Sequence, residues 1–141
     1  CNSLRRVHMN LTSKSFKEDI YMVAHITCEL ANTAMYSTVD ESKDNECNAK
    51  SLKCTMHSMA NMLQSHGINL TRSIKTKRSK PKREDIIMLK SMRMLAKSIE
   101  DLMMRNMELV TMINIDRVDY MQKLELLMNM IKELEVKYGD I

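Results

Sequence analysis

The four cysteines stand at Cys1, Cys28, Cys47 and Cys54, all in the first part of a 141-residue chain. Disulfide formation, metal ligation and nucleophilic attack are the chemistries open to them. An even cysteine count in a short chain points to two disulfides. Cys47 and Cys54, seven residues apart, would hold their Cα atoms ~10 Å apart on one regular helix, beyond disulfide reach. Both would then pair outward, with Cys1 and Cys28 as partners in either of two arrangements, unless Cys47 lies in a loop that folds back. A structural zinc site needs closely spaced ligands, and the 26, 18 and 6 residues between these cysteines contain no C-x-x-C knuckle, even with His25 or His57 added. No metal or other cofactor is expected.

Catalysis finds no anchor either. His8, His25, His57 and His66 are scattered, with no H-E-x-x-H motif and no carboxylate partner at ligand spacing. His25, beside Ile26, reads as a structural histidine. Glycine occurs only at positions 67 and 139, so a Gly-rich phosphate loop is excluded. The adjacent acids Glu18 and Asp19, and Glu100 and Asp101, read as helix-surface residues rather than an acid/base pair. The expectation is a protein without enzymatic activity.

Two kinds of modification are written in the chain. The sequons at Asn10 and Asn69, each Asn-Leu-Thr, are candidate N-glycosylation sites, expected outside helix interiors. The basic stretch from Arg72 to Arg83 offers dibasic pairs, Lys77 with Arg78 and Lys82 with Arg83, to proprotein convertases, and its charge to heparan-type polyanions. It lacks the interleaved aromatics that stack bases, so nucleic acid is not an expected partner. With the sequons and the even cysteine count, the absence of an initiator Met at Cys1 fits a mature, secreted, extracellular protein.

The elements that must position these residues are helices. Two Gly, one Pro, five aromatic residues and sixteen Met are poor in turn formers and rich in unbranched apolar side chains. A hydrophobic content of 44% supports a packed core, and 28% charged residues keep the chain solvated, which excludes wholesale disorder. No apolar run reaches the ~20 residues needed to span a bilayer, so membrane insertion is not expected. The net charge of +4 is mild and concentrated in the basic stretch.

Hydrophobic spacing predicts helices over residues 15–36, 49–66, 85–113 and 117–138, joined by a polar loop after Tyr36, a basic loop over 68–83 and a tight turn at Asn114 to Asp116. Ser15 and Glu18 form a capping box for the first, whose stripe is Phe16, Ile20, Val23, Thr27, Leu30 and Ala34. Gly67 reads as the C′ residue of the second. Glu84 and Asp85 complement the dipole of the third, and Asp116 caps the fourth. Four amphipathic helices bury their stripes most simply as one all-α domain, a four-helix bundle. Most methionines then fill the core, while Met22, Met62, Met104 and Met107 lie off the stripes, where exposed Met serves partner binding.

Several segments resemble a known family. Met35-Tyr-Ser37, an acidic loop and the C-x6-C from Cys47 to Cys54 are similar to the end of helix A, the AB loop and the start of helix B in the common γ-chain group of short-chain cytokines, which includes interleukin-15 and interleukin-21. The stretch from Ile68 to Arg78 resembles a glycosylated, basic segment in the same group, and Tyr120 to Ile131 resembles its last helix. The resemblance covers about half the chain and implies a helical-cytokine-like bundle that brings cell-surface receptor chains together in immune signalling. By resemblance, Glu18 and Asp19 on the first helix meet one receptor, and Gln122, Glu125 and Asn129 on the last meet a shared one.

Two features depart from the family. It pairs its C-x6-C with later cysteines that this chain lacks, and it runs up-up-down-down with a long crossover, whereas the tight link here favours an antiparallel hairpin. Class II cytokines are the nearest alternative within the class. A secreted carrier with a Met-lined interior and an intracellular adaptor with reduced cysteines are the alternatives outside it.

Overall fold

The computed structural model describes residues 15–77 and 80–139. Cys1, Asn10 and Arg78 lie outside the described residues, and of Lys77 only the backbone is described. The described chain is mostly helical: α1 (Phe16–Tyr36), α2 (Glu46–Lys77), α3 (Arg83–Arg105), the single turn α4 (Met107–Val110) and α5 (Arg117–Tyr138). The all-α expectation holds.

Local chemistry starts each long helix. The Glu18 amide donates to Ser15 Oγ (3.3 Å), and the Asp119 amide donates to Asp116 Oδ1 (3.0 Å), the two caps the sequence announces. Asp85 reaches back to accept from the Lys82 amide at 2.9 Å, behind the buried Pro81. Asn45 precedes α2 at φ 71°, a left-handed conformation that Asn tolerates, and its carbonyl accepts from the Ala49 amide at 2.9 Å.

The second helix differs most from expectation. It runs through Gly67 to Lys77, absorbing much of the stretch expected as a basic loop and placing the exposed Asn69 inside a helix. Gly67 is a contact point rather than a terminus. A Cβ built there would stand 3.0 Å from Thr27 Oγ1 and 3.1 Å from Ala24 Cα, so the missing side chain is what lets α1 seat on α2. Periodicity continues beyond it, with Leu63, Leu70 and Ile74 all buried.

The third helix stops early. Asn106 turns its side-chain amide onto the Leu102 carbonyl (2.8 Å), while its own N–H goes to Met103 O (3.1 Å), so the chain breaks there and restarts as α4. An isolated bridge between Val39 and Ile113 then fastens the segment, with Asp40 N donating to Met112 O and Asn114 N to Thr38 O, both at 2.8 Å.

Contacts follow a closed circuit: α1 packs on α2, α2 on α3, α3 on α5 and α5 on α1. Each neighbouring pair is antiparallel. Gln64 meets Cys28 while Gly67 meets Ala24; Arg93 meets Glu135 while Met104 shares a groove with Val118; Phe16 packs on Tyr138 while Tyr120 reaches Leu30. At the α2–α3 seam, Ile74 lies by Lys82 and Asn48 by Asn106. This order follows from short connections and departs from the up-up-down-down course that the resemblance implies.

The core at the centre of the circuit contains Ile20, Leu30, Leu63, Leu89, Met92, Ile99, Met103, Leu124 and Leu127, each completely buried. Burial of a side chain of this size contributes about 1.5–3 kcal/mol. Met56 and Met130 are buried too, so Met acts here as core filler. All six residues of the α1 stripe are buried. So is Asp19, which corrects its placement on an exposed receptor-facing side: position 19 shares the inward face with Phe16 and Val23.

Candidate functional site

Three of the four cysteines fall among the described residues, and Cys28, Cys47 and Cys54 are all free thiols there. The expected disulfides are therefore not formed among the described residues, and the antiparallel pairing of α1 with α2 explains why. Cys28 lies beside Gln64, whose amide points at its sulfur from 3.2 Å. Cys54, ten residues earlier on α2, is ~15 Å away along the helix axis, and Cys47 farther still. Cys47 and Cys54 share the one regular helix, both exposed.

His25 lies on the surface with a side-chain partner. It is an exposed α1 residue whose Nε2 lies 2.7 Å from Glu29 Oε1, and Glu29 also takes Lys123 from α5 at 2.8 Å. This is a surface polar chain joining α1 to α5, and the carboxylate partner missing from the linear motif is one helical turn away. Among the described residues, no group of three or more His, Cys, Asp or Glu could hold a metal ion, and no helix is long and apolar enough to cross a membrane.

The surface residues that do converge lie where α3 breaks. Met104 is 57% exposed on the last turn of α3, and Met107, half-buried, opens α4. They form a ridge between two surface grooves. One, about 460 Å³, lies toward α2 and is lined by Asn45, Asn48, Asn106 and Glu108. The other, about 350 Å³, lies toward α5, where Val118, Met121, Gln122 and Glu125 face Glu100 across it. Val118 is itself 60% exposed. The break at Asn106 and the Val39–Ile113 bridge hold the ridge in place, because α4 is pinned against α2 and α3 rather than continuing the line of α3.

Two acids line the second groove. Glu100 is nearly buried, with Lys97 Nζ 3.0 Å from its Oε1, and Lys97 also reaches Asp101 at 3.3 Å. Glu100 and Glu125 line the groove from facing helices. The side chain of Glu125, with Lys97, holds the Glu100 carboxyl below the ordinary carboxylate range, while the side chain of Glu100 and partial burial raise Glu125 above it. Arg117 stands at the same groove from the first turn of α5.

The structure thus brings together Gln122 and Glu125 of the sequence-derived receptor set, and Met104 and Met107 of the off-stripe methionines. Asn129 is exposed one turn farther along α5. Glu18 is exposed but distant: α1 begins beside Tyr138, with the Phe16 and Tyr138 rings 5.0 Å apart, sixteen residues beyond Gln122. That is ~24 Å along α5. Met62 is exposed on α2 and Met22 half-buried on α1, both away from the groove. Sequence reasoning missed Glu100 and Val118, which read as ordinary helix residues until α3 and α5 are placed in register. At the other end of the same seam Arg93 forks onto Glu135, with Nη2 donating to Oε1 at 3.1 Å, and Lys82 and Arg83 stand at the start of α3.

In comparisons with known proteins, no family model, no curated protein and no solved structure matches this chain.

Proposed function

We propose that this chain is a secreted, cytokine-like signalling ligand: a four-helix bundle that acts by surface complementarity, bringing cell-surface receptor ectodomains together. One observation carries the proposal. A methionine ridge, exposed Met104 beside half-buried Met107, meets exposed Val118 and the polar Gln122 and Glu125 on one helix seam, an apolar centre with a polar rim. Met at a surface adapts to partner side chains, and a few such residues dominate affinity. The up-down-up-down order is not that of the common γ-chain ligands, so the use of helix faces is what carries over from the resemblance. Glu18 remains a candidate for a second, separate contact, at the far end of the bundle. Asn69, exposed on α2, remains the candidate glycan site, and the basic residues Lys82 and Arg83 the candidate polyanion or processing site.

The test is a screen of immobilised receptor ectodomains against the intact chain. The proposal expects saturable binding to at least one of them; a screen in which none binds removes it.

The free thiols of Cys28, Cys47 and Cys54 favour a second reading, an intracellular helical adaptor that uses the same face. A thiol count on protein isolated from its native source under alkylating conditions separates the two. With Cys1 the one cysteine left to pair with them, secretion expects two reactive thiols per chain at these positions, and the adaptor expects three.

A further inference from the structure

We propose that α3 pairs with α3 of a second copy of this chain, antiparallel across a two-fold axis, along an outward stripe of Ile87, Lys90, Met94, Lys97, Asp101 and Met104. This association goes beyond the signalling role and stands without it. Met104 belongs to both surfaces, so the pair of chains and the receptor complex exclude one another.

These positions follow one another at intervals of three, four, three, four and three residues, the spacing that keeps one seam of a helix against a neighbouring helix. The three apolar members are each more than half exposed, Lys90 is exposed, and Lys97 and Asp101 are exposed over about half of their side chains. The bundle leaves the stripe uncovered, because α2 and α5 flank α3 while Met92, Ile99 and Met103 bury its opposite side. Charge order selects the occupant. Positions 87 and 104, 90 and 101, and 94 and 97 are equidistant from the midpoint of the stripe. A two-fold axis there sets Ile87 on Met104 of the other copy, Lys90 on Asp101, and Met94 on the aliphatic stem of Lys97. Lys97 keeps its own contacts, to Glu100 at 3.0 Å and to Asp101 at 3.3 Å. Lys90, which has no carboxylate partner among the described residues, gains one. Parallel pairing in register would set Lys90 on Lys90 and Asp101 on Asp101, so the charges reject it. One helix stripe per copy is a small interface, and the pair therefore forms at high concentration.

The experiment is sedimentation velocity of the intact chain from about 1 to 500 µM at pH 7, with a reductant present so that exposed Cys47 and Cys54 cannot link two copies. Expected is a reversible shift from monomer to dimer as concentration rises. Met94→Glu should weaken association at least tenfold, while Met62→Glu, an exposed change on α2, leaves it within twofold. Lys90→Asp and Asp101→Lys each set like charges against one another and should each weaken association at least fivefold. An equimolar mixture of those two variants should associate at least fivefold more tightly than either alone, because in the mixed pair every charge at positions 90 and 101 faces its opposite. A gain of this kind cannot come from a misfolded variant. Monomer throughout the range, association indifferent to Met94→Glu, or a mixture no tighter than its components would each overturn the proposal. Sedimentation needs no receptor, so an empty ectodomain screen removes the signalling role and keeps the dimer, and a monomer that binds an ectodomain does the reverse.

Discussion

Replacing Gly67 by Ala tests the central packing contact of the fold, because two effects of opposite sign meet at that position. In an open helix interior the change stabilises by ~1 kcal/mol, through better helix propensity and a less flexible unfolded chain. Here the new methyl would stand 3.0 Å from Thr27 Oγ1, 3.1 Å from Ala24 Cα and 3.3 Å from Ala24 Cβ. Thr27 cannot swing away freely, since its hydroxyl donates to the Ala24 carbonyl at 2.8 Å, and Ala24 Cα is backbone. Relief requires α1 and α2 to separate by several tenths of an ångström along their shared seam, an overpacking cost of ~1–3 kcal/mol. The net expectation is a loss of about 1 kcal/mol. Urea denaturation monitored by helical ellipticity would read this as a midpoint lowered by ~0.3–1 M at unchanged slope. Ser65→Ala, exposed on the same helix, is the control and should stay within ~0.5 kcal/mol of wild type. A Gly67→Ala protein more stable than wild type by ~1 kcal/mol would mean that α1 does not seat on Gly67, and the reasoning about that seam would be wrong.

Two further expectations follow from polar groups in and around the core. Tyr120 is buried with its hydroxyl donating to Leu30 O at 3.4 Å, and burial pushes its phenol well above the ordinary range. The folded state therefore holds this proton more tightly than the unfolded state, whose tyrosine titrates near ~10. The corresponding stability is complete below that pH and is lost above it, by up to ~1.4 kcal/mol per pH unit. Tyr120→Phe should cost ~1 kcal/mol at pH 7 and flatten the alkaline loss, as unfolding midpoints at pH 7 and 11 would reveal; an unchanged alkaline slope would refute it. The fork between Arg93 and Glu135 joins α3 to α5, with Glu135 largely covered and Arg93 over a third exposed. A double-mutant cycle with Ala at both positions should give a coupling of ~1 kcal/mol that shrinks in 1 M salt, and no coupling would refute it.

What could be read from the sequence was local. The α1 stripe, the caps at Ser15 and Asp116, and the break before α5 all follow from spacing and from side chains bonding to nearby amides. Gly67 was misread because a C′ glycine and a close-approach glycine look alike in sequence, although the apolar spacing through Leu63, Leu70 and Ile74 carries the helix past it. Asp19 was misread by residue type, since its position on the Phe16 and Val23 face favours burial. At Asn106 a side-chain amide competes with the helix ladder, a contest that periodicity does not record. The cysteine pairing depended on which residues of α1 and α2 lie opposite one another, and the even count carries no information about that register. The candidate site was half visible: Met104, Met107, Gln122 and Glu125 stood out as off-stripe residues, while their convergence with Glu100 and Val118 required the antiparallel register of α3 and α5.

The claim that the methionine ridge is the docking face is tested most directly by the affinity of Met104→Glu for an ectodomain captured in the screen, beside Met62→Glu as its control. Both methionines are more than half exposed, on α3 and α2 respectively, so neither change should shift stability by more than ~0.5 kcal/mol. Binding by surface plasmon resonance should weaken at least tenfold for Met104→Glu and stay within twofold for Met62→Glu. Equal affinities for the two variants, or a loss confined to Met62→Glu, would contradict the account and place the docking face elsewhere on the bundle.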